Sequence, residues 1–230
     1  MFMFEKDVSD TVAEMNDIDK HHPYDEIESS DGFSVEDSMS FWDDELNNKY
    51  QEYEENYSEY LTELYNRSED EFNYNIEVDD ELKDSVAKFE SENWSQMNDG
   101  EKKDAIKDTM SHIAKNLDLS TIPKLKFYKD GLGPDGYYNP YNNHLNINIE
   151  KTFLSDSKEL LNTLVHELRH AFQHERADKL ETKEDALFRC NMDNYIDPDK
   201  SFYAYDNQYV EVEARAYTAV FIKSYEEAAR

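Results

Sequence analysis

Between Leu160 and Ala177 the chain reads LLNTLVHELRHAFQHERA, and this stretch constrains the rest more than any other. Leu160, Leu161, Leu164, Val165, Leu168, Ala171 and Phe172 recur at three- and four-residue spacing, which predicts a helix with one face buried in a core. Side chains at i and i+4 leave a helix on the same side, so His166 and His170 can grip a single metal ion. Glu167, one residue along, can reach a water bound to that ion and act as its base. The competing reading is an amphipathic helix whose histidines only complete its polar face.

The segment HELRH, His166 to His170, resembles the active-site helix of zincin metallopeptidases. The resemblance implies zinc, His166 and His170 as two of its ligands, and Glu167 as general base. It also implies a third ligand from elsewhere in the chain. His174 continues the same row, but on an unbroken helix it stands about 12 Å along the axis from His166. That is too far to share one ion, and no glycine follows the motif to turn the chain back. Downstream, QYVEVEARAYTAVF (Gln208 to Phe221) is similar to the second helix of the gluzincin group, in which a glutamate completes the site. On that match Glu211, with Ala214 after it, is the implied ligand, and Glu213 stays as a rival. Arg215 departs from the pattern, because it stands where the group carries an aspartate that orients a bound histidine. The two glutamates flank opposite sides of the Val210, Ala214, Tyr217, Phe221 stripe, so only one of them should face the metal.

The region from Trp94 to the C-terminus looks like small bacterial or phage-borne zincins and toxin-type metallopeptidases. The implied fold is α+β, with a small mixed or antiparallel sheet packed on the HExxH helix and a C-terminal helix across residues 81–230. An acidic, partly helical extension, residues 1–80, precedes it. That extension holds 26 acidic and 4 basic side chains, a net −22 of the chain's −30. Such a field repels nucleic acid and anionic membranes and suits a basic partner. No apolar run approaches the ~18 residues of a membrane span. The start, MFMFEKDVSD, lacks a basic region followed by a long apolar run, so the expected location is cytoplasmic, with leaderless export left open. Cys190 is the sole cysteine, which excludes an intramolecular disulfide and favours an inert thiol.

Residues 1 to about 40 read as an acidic arm without sustained period, in which the adjacent His21 and His22 are solvated. From Phe41 a helix is expected, its seam formed by Leu46, Tyr50, Tyr53, Tyr57, Tyr60 and Leu64 and widened by Leu61. The seam packs on the protein's own body or engages a partner. A short helix follows over Glu81 to Glu90. Next comes one capped by Asn98 or Asp99, with Ala105, Ile106, Met110, Ile113, Ala114 and Leu117 buried. Lys124 to Lys129 reads as a strand, Gly131 to Gly136 and Asn139 to Asn143 as turns, and Leu145 to Glu150 as a half-buried strand. By resemblance, His144 to Ile149 is the sheet edge on which a peptide substrate docks. Ser155 or Asp156 caps the metal helix. Residues 178–205 read as a polar connection with a helical patch near Glu184 to Arg189. Its Tyr195, Tyr203 and Tyr205 are unranked candidates for stabilising an oxyanion. The last helix spans about Asp206 to Ala228.

The expected activity is zinc-dependent hydrolysis of a peptide bond in a protein or peptide substrate. The alternative is a zinc-stabilised, weakly catalytic or non-catalytic module whose acidic N-terminal helix binds a basic protein.

Overall fold

The computed structural model describes residues 44–64, 71–153 and 157–230. The acidic arm with His21 and His22, and the caps expected at Ser155 or Asp156, lie outside the described residues. In chain order the elements are α1 (Asp44–Leu64), α2 (Asp80–Val86) continuing as a 3-10 turn (Ala87–Phe89), α3 (Ser91–Gln96) and α4 (Asp99–Asn116). Then come β1 (Lys124–Tyr128), β2 (Gly136–Asn139), β3 (His144–Asn148), α5 (Ile149–Thr152), α6 (Ser157–Lys179), α7 (Lys183–Asp193), α8 (Phe202–Asp206) and α9 (Tyr209–Ala228). One small sheet among many helices makes the chain α+β. No helix among the described residues is long and apolar enough to cross a membrane.

Local chemistry starts these elements where the sequence indicates. Asn98 Oδ1 accepts from the Gly100 and Glu101 amides, while Glu101 Oε2 accepts from the Asn98 amide, a capping box that opens α4. The apolar stripe of α4 is buried from Ala105 to Leu117. It joins Leu145 and Ile147 of β3, Leu160, Leu161, Leu164, Val165 and Leu168 of α6, and Tyr217 and Phe221 of α9 in one core. A second cluster lies along α7. There Tyr53, Tyr60 and Leu64 of α1 are buried against Ala186, Leu187, Phe188 and Cys190. The tyrosine seam is therefore covered by the protein's own body, within a compact unit that runs from Glu45 to Arg230. Its polar tips are also used: Tyr53 OH donates to Asp193 at 2.8 Å, and Asn194 Nδ2 donates to Tyr57 OH at 2.6 Å.

The sheet corrects one expectation. Its order is β1-β3-β2, with β3 parallel to β1 and antiparallel to β2, so His144 to Asn148 forms the central strand and not an edge. Both faces of β3 are buried. The alternating asparagines that suggested a wet face instead bond backbone carbonyls. Asn148 Nδ2 donates to those of Asp130 (2.6 Å) and Pro134 (3.1 Å), and Asn146 Nδ2 to that of His144 (3.2 Å). The strand at the edge beside α6 is β2, which the sequence reading left between two turns.

A glycine lets β2 lie this close to α6. A Cβ built on Gly136 would stand 2.8 Å from Thr163 Cγ2 and 3.0 Å from the Asn146 carbonyl oxygen. Gly136→Ala is expected to cost about 1–3 kcal/mol through overpacking, read as a lowered denaturant midpoint. A midpoint equal to that of the wild type would show that the strand is free to move away from the helix.

Candidate metal centre

Helix α6 buries its leucines and leaves the histidine row at the margin of the core, where α9 crosses it. That crossing brings Glu211, from the first turn of α9, over His166 and His170. The three donor atoms form a small triangle. His166 Nε2 lies 3.2 Å from Glu211 Oε2, His170 Nε2 lies 3.4 Å from the same oxygen, and the two imidazole nitrogens are 3.1 Å apart. Glu211 is almost wholly buried and the histidines are partly so. Among the described residues this is the one group of three or more such side chains placed to hold a metal ion. His174 lies outside it and packs its ring 5.7 Å from that of Tyr138.

Two imidazole nitrogens and a carboxylate this close require a positive charge between them. A metal ion supplies it, or else a proton does. Burial alone would lower the His170 pKa, but the facing Glu211 carboxylate overrides this and pushes it up to about 9. Burial would likewise raise the Glu211 carboxyl, yet His170 and His166 hold it well below the usual carboxylate range. Since His170 sits above its ordinary 6.5, the stabilisation from this pair in the metal-free protein is fully present below pH 6.5. It is lost as pH rises through about 9. A metal ion must displace that proton. Affinity should therefore climb about tenfold per pH unit up to that value and flatten above it. Calorimetry in buffers of differing ionisation enthalpy would show close to one proton released per ion at pH 7. A pH-independent affinity between 6 and 8 would refute the assignment.

Glu167 is not a member of the triangle. Its Oε2 accepts the backbone N–H of Tyr138 at 2.8 Å, so the carboxylate is held at the free edge of β2 beside the two histidines. On the other side, Tyr195 OH donates to Glu211 Oε1 at 3.4 Å. The Tyr195 and Tyr205 rings meet edge-on at 6.1 Å. Burial and the Glu211 charge raise the pKa of both phenols, which stay protonated as donors. Tyr203 is 79% exposed and belongs to neither arrangement. The three tyrosines left unranked by sequence are thereby separated.

The rival glutamate has a different occupation. Glu213 is fully buried and accepts from Arg169 Nε at 2.9 Å, and also from Arg169 Nη2, Tyr74 OH and Gln173 Nε2. The Arg169 guanidinium lies against the rings of Phe172, Tyr217 and Tyr74 at 4.1, 4.4 and 5.1 Å. The two flanks of the α9 stripe thus face two rows of α6, Glu211 against 166/170 and Glu213 against 169/173. Arg215 points elsewhere and pairs with Asp206 at 3.1 Å. The sequence reading overlooked Arg169 and Gln173. Their signal is weak, two polar residues at i and i+4 beside the histidine row on a helix that carries many other polar side chains. Cys190 is fully buried and its thiol is pushed up to about 12 by burial, as suits an inert core residue.

A groove of about 570 Å³ lined by Val86, Phe89, Leu161, Ile222 and Tyr225 shares no residue with the triangle. Comparison with protein-family models, with curated proteins and with solved structures gives no match to this chain.

Proposed function

We propose that the protein is a zinc-dependent peptide hydrolase with a zincin-like core, in which His166, His170 and Glu211 hold the ion and Glu167 is the general base. The observation that carries this reading is the donor triangle. Tetrahedral zinc with bonds of about 2.0–2.1 Å places its ligand atoms roughly 3.3–3.4 Å apart, and the edges here are 3.1, 3.2 and 3.4 Å. Two imidazoles and one carboxylate are also a donor set suited to catalytic zinc.

Zinc held there supplies a water of lowered pKa and a Lewis acid for the scissile carbonyl. The protein supplies the rest. Glu167, steadied by the Tyr138 amide, takes the proton of the attacking water and delivers it to the leaving amine. Tyr195 and Tyr205 lie beside Glu211, and either would serve the developing oxyanion by turning its one hydroxyl hydrogen from that carboxylate. The substrate is a protein or peptide. With β3 central, the edge available to an extended chain is β2, whose outward Tyr138 N–H meets the base.

Elemental analysis of zinc-loaded protein, paired with hydrolysis of a diverse peptide library with and without chelator, tests the reading. One zinc per chain and chelator-sensitive cleavage are expected. Protein that takes up no zinc, or loaded protein that leaves the whole library intact, overturns it.

One observation favours a second reading. Outside its buried seam α1 exposes Glu52, Glu54 and Glu55, a surface suited to a basic protein. A weakly catalytic or non-catalytic binding module predicts partner binding that survives Glu167→Gln and disappears when Glu52, Glu54 and Glu55 are replaced by glutamine.

A further inference from the structure

The histidine next to Glu211 is held by an amide whose orientation its surroundings dictate. Gln173, one turn along α6 from His170, is fully buried. Its Nε2 faces two acceptors, the Val210 carbonyl oxygen at 2.8 Å and Glu213 Oε2 at 2.5 Å. Glu213, bound by Arg169 through two guanidinium nitrogens, offers only lone pairs to Gln173. The reverse orientation would set a carbonyl oxygen against a carbonyl and a carboxylate in a spot closed to water, and would lose both of those hydrogen bonds. The amide nitrogen therefore points to α9, and Oε1 points to His170 Nδ1, 2.8 Å away.

An amide oxygen only accepts, so Nδ1 of His170 carries the hydrogen. In the neutral ring that leaves the lone pair on Nε2, the atom that faces His166 and Glu211. We propose that Gln173 is the positioning residue of this metal centre: locked by Glu213 and Val210, it fixes the tautomer and ring angle of His170 for coordination through Nε2. Arg169 acts one step further out by holding Glu213 in place through two guanidinium nitrogens. The site thus has an orienting group on its own helix, four residues from the arginine that secures it, while Arg215 is engaged with Asp206. The inference rests on the metal-site reading above.

The test combines zinc affinity, from competition with a chromogenic chelator, with ring ¹⁵N shifts of the zinc-loaded protein. Gln173→Met, close in volume but unable to accept, should weaken zinc about 10–100-fold. Wild-type His170 should show a protonated Nδ1 and a zinc-bound Nε2. A purely structural role would lower the melting temperature of Gln173→Met while leaving the zinc affinity of the folded protein unchanged, and that result overturns the proposal. So does coordination of wild-type His170 through Nδ1, a measurement that stands even if Gln173→Met fails to fold. Wild-type protein that takes up no zinc overturns the metal-site reading and this proposal together, whereas normal wild-type uptake with equal affinity in Gln173→Met overturns this proposal alone.

Discussion

Zinc-loaded Glu167→Gln protein should bind its metal as the wild type does, melt at the same temperature and cleave peptides about 10²–10⁴-fold more slowly. The expectation follows from where Glu167 sits. It contributes no atom to the donor triangle, so metal uptake does not depend on its charge. Among the described residues its one hydrogen bond comes from the Tyr138 amide, which a glutamine carbonyl oxygen can also accept. The substitution therefore removes a single capacity, that of taking a proton from water. Metal content by elemental analysis, melting by calorimetry and turnover on a cleaved library peptide measure the three parts separately. Turnover equal to that of the wild type would remove Glu167 from the mechanism, and lost metal would place it among the ligands.

Helix α6 was legible because its pattern is local. The apolar spacing of Leu160 to Phe172 places the helix, the i, i+4 histidines follow from helical geometry, and the structure carries both within Ser157–Lys179. Glu211 against Glu213 was half legible. The sequence put them on opposite flanks of one stripe, but the choice depends on how α9 crosses α6, a tertiary quantity. What decides it is that Arg169 and Gln173 claim Glu213 and leave Glu211 to the histidines.

Elements whose polar residues face inward were harder to read. Helix α7 runs over Lys183–Asp193, longer than the patch expected from Glu184 to Arg189. Its second half includes Asn191, a buried polar residue that bonds Gln208 and the Val210 amide, so hydropathy fades before the helix does. The same cause made β3 read as half-buried, since its asparagines bond backbone carbonyls, while its placement at an edge came from the resemblance. Strand β2 is four residues beside turn signals, too short for a period to register. Its contribution to the site is also a backbone N–H, which no side-chain pattern announces.

The largest expected loss of stability belongs to Arg169→Met, about 3–5 kcal/mol by chemical denaturation. Methionine fills much of the space and keeps contact with the rings of Phe172, Tyr217 and Tyr74, so little of the loss comes from packing. What remains is a fully buried carboxylate with Tyr74 OH and Gln173 Nε2 as its neutral donors, and an uncompensated charge in that position is costly. Adding Glu213→Gln removes the charge while keeping an oxygen that can accept from both groups. The double variant should therefore be more stable than Arg169→Met, although each single substitution removes part of the same network. This non-additivity is the signature of a coupled pair. If the two losses simply sum, Arg169 and Glu213 act independently, and Gln173 is then held by Val210 rather than by the ion pair.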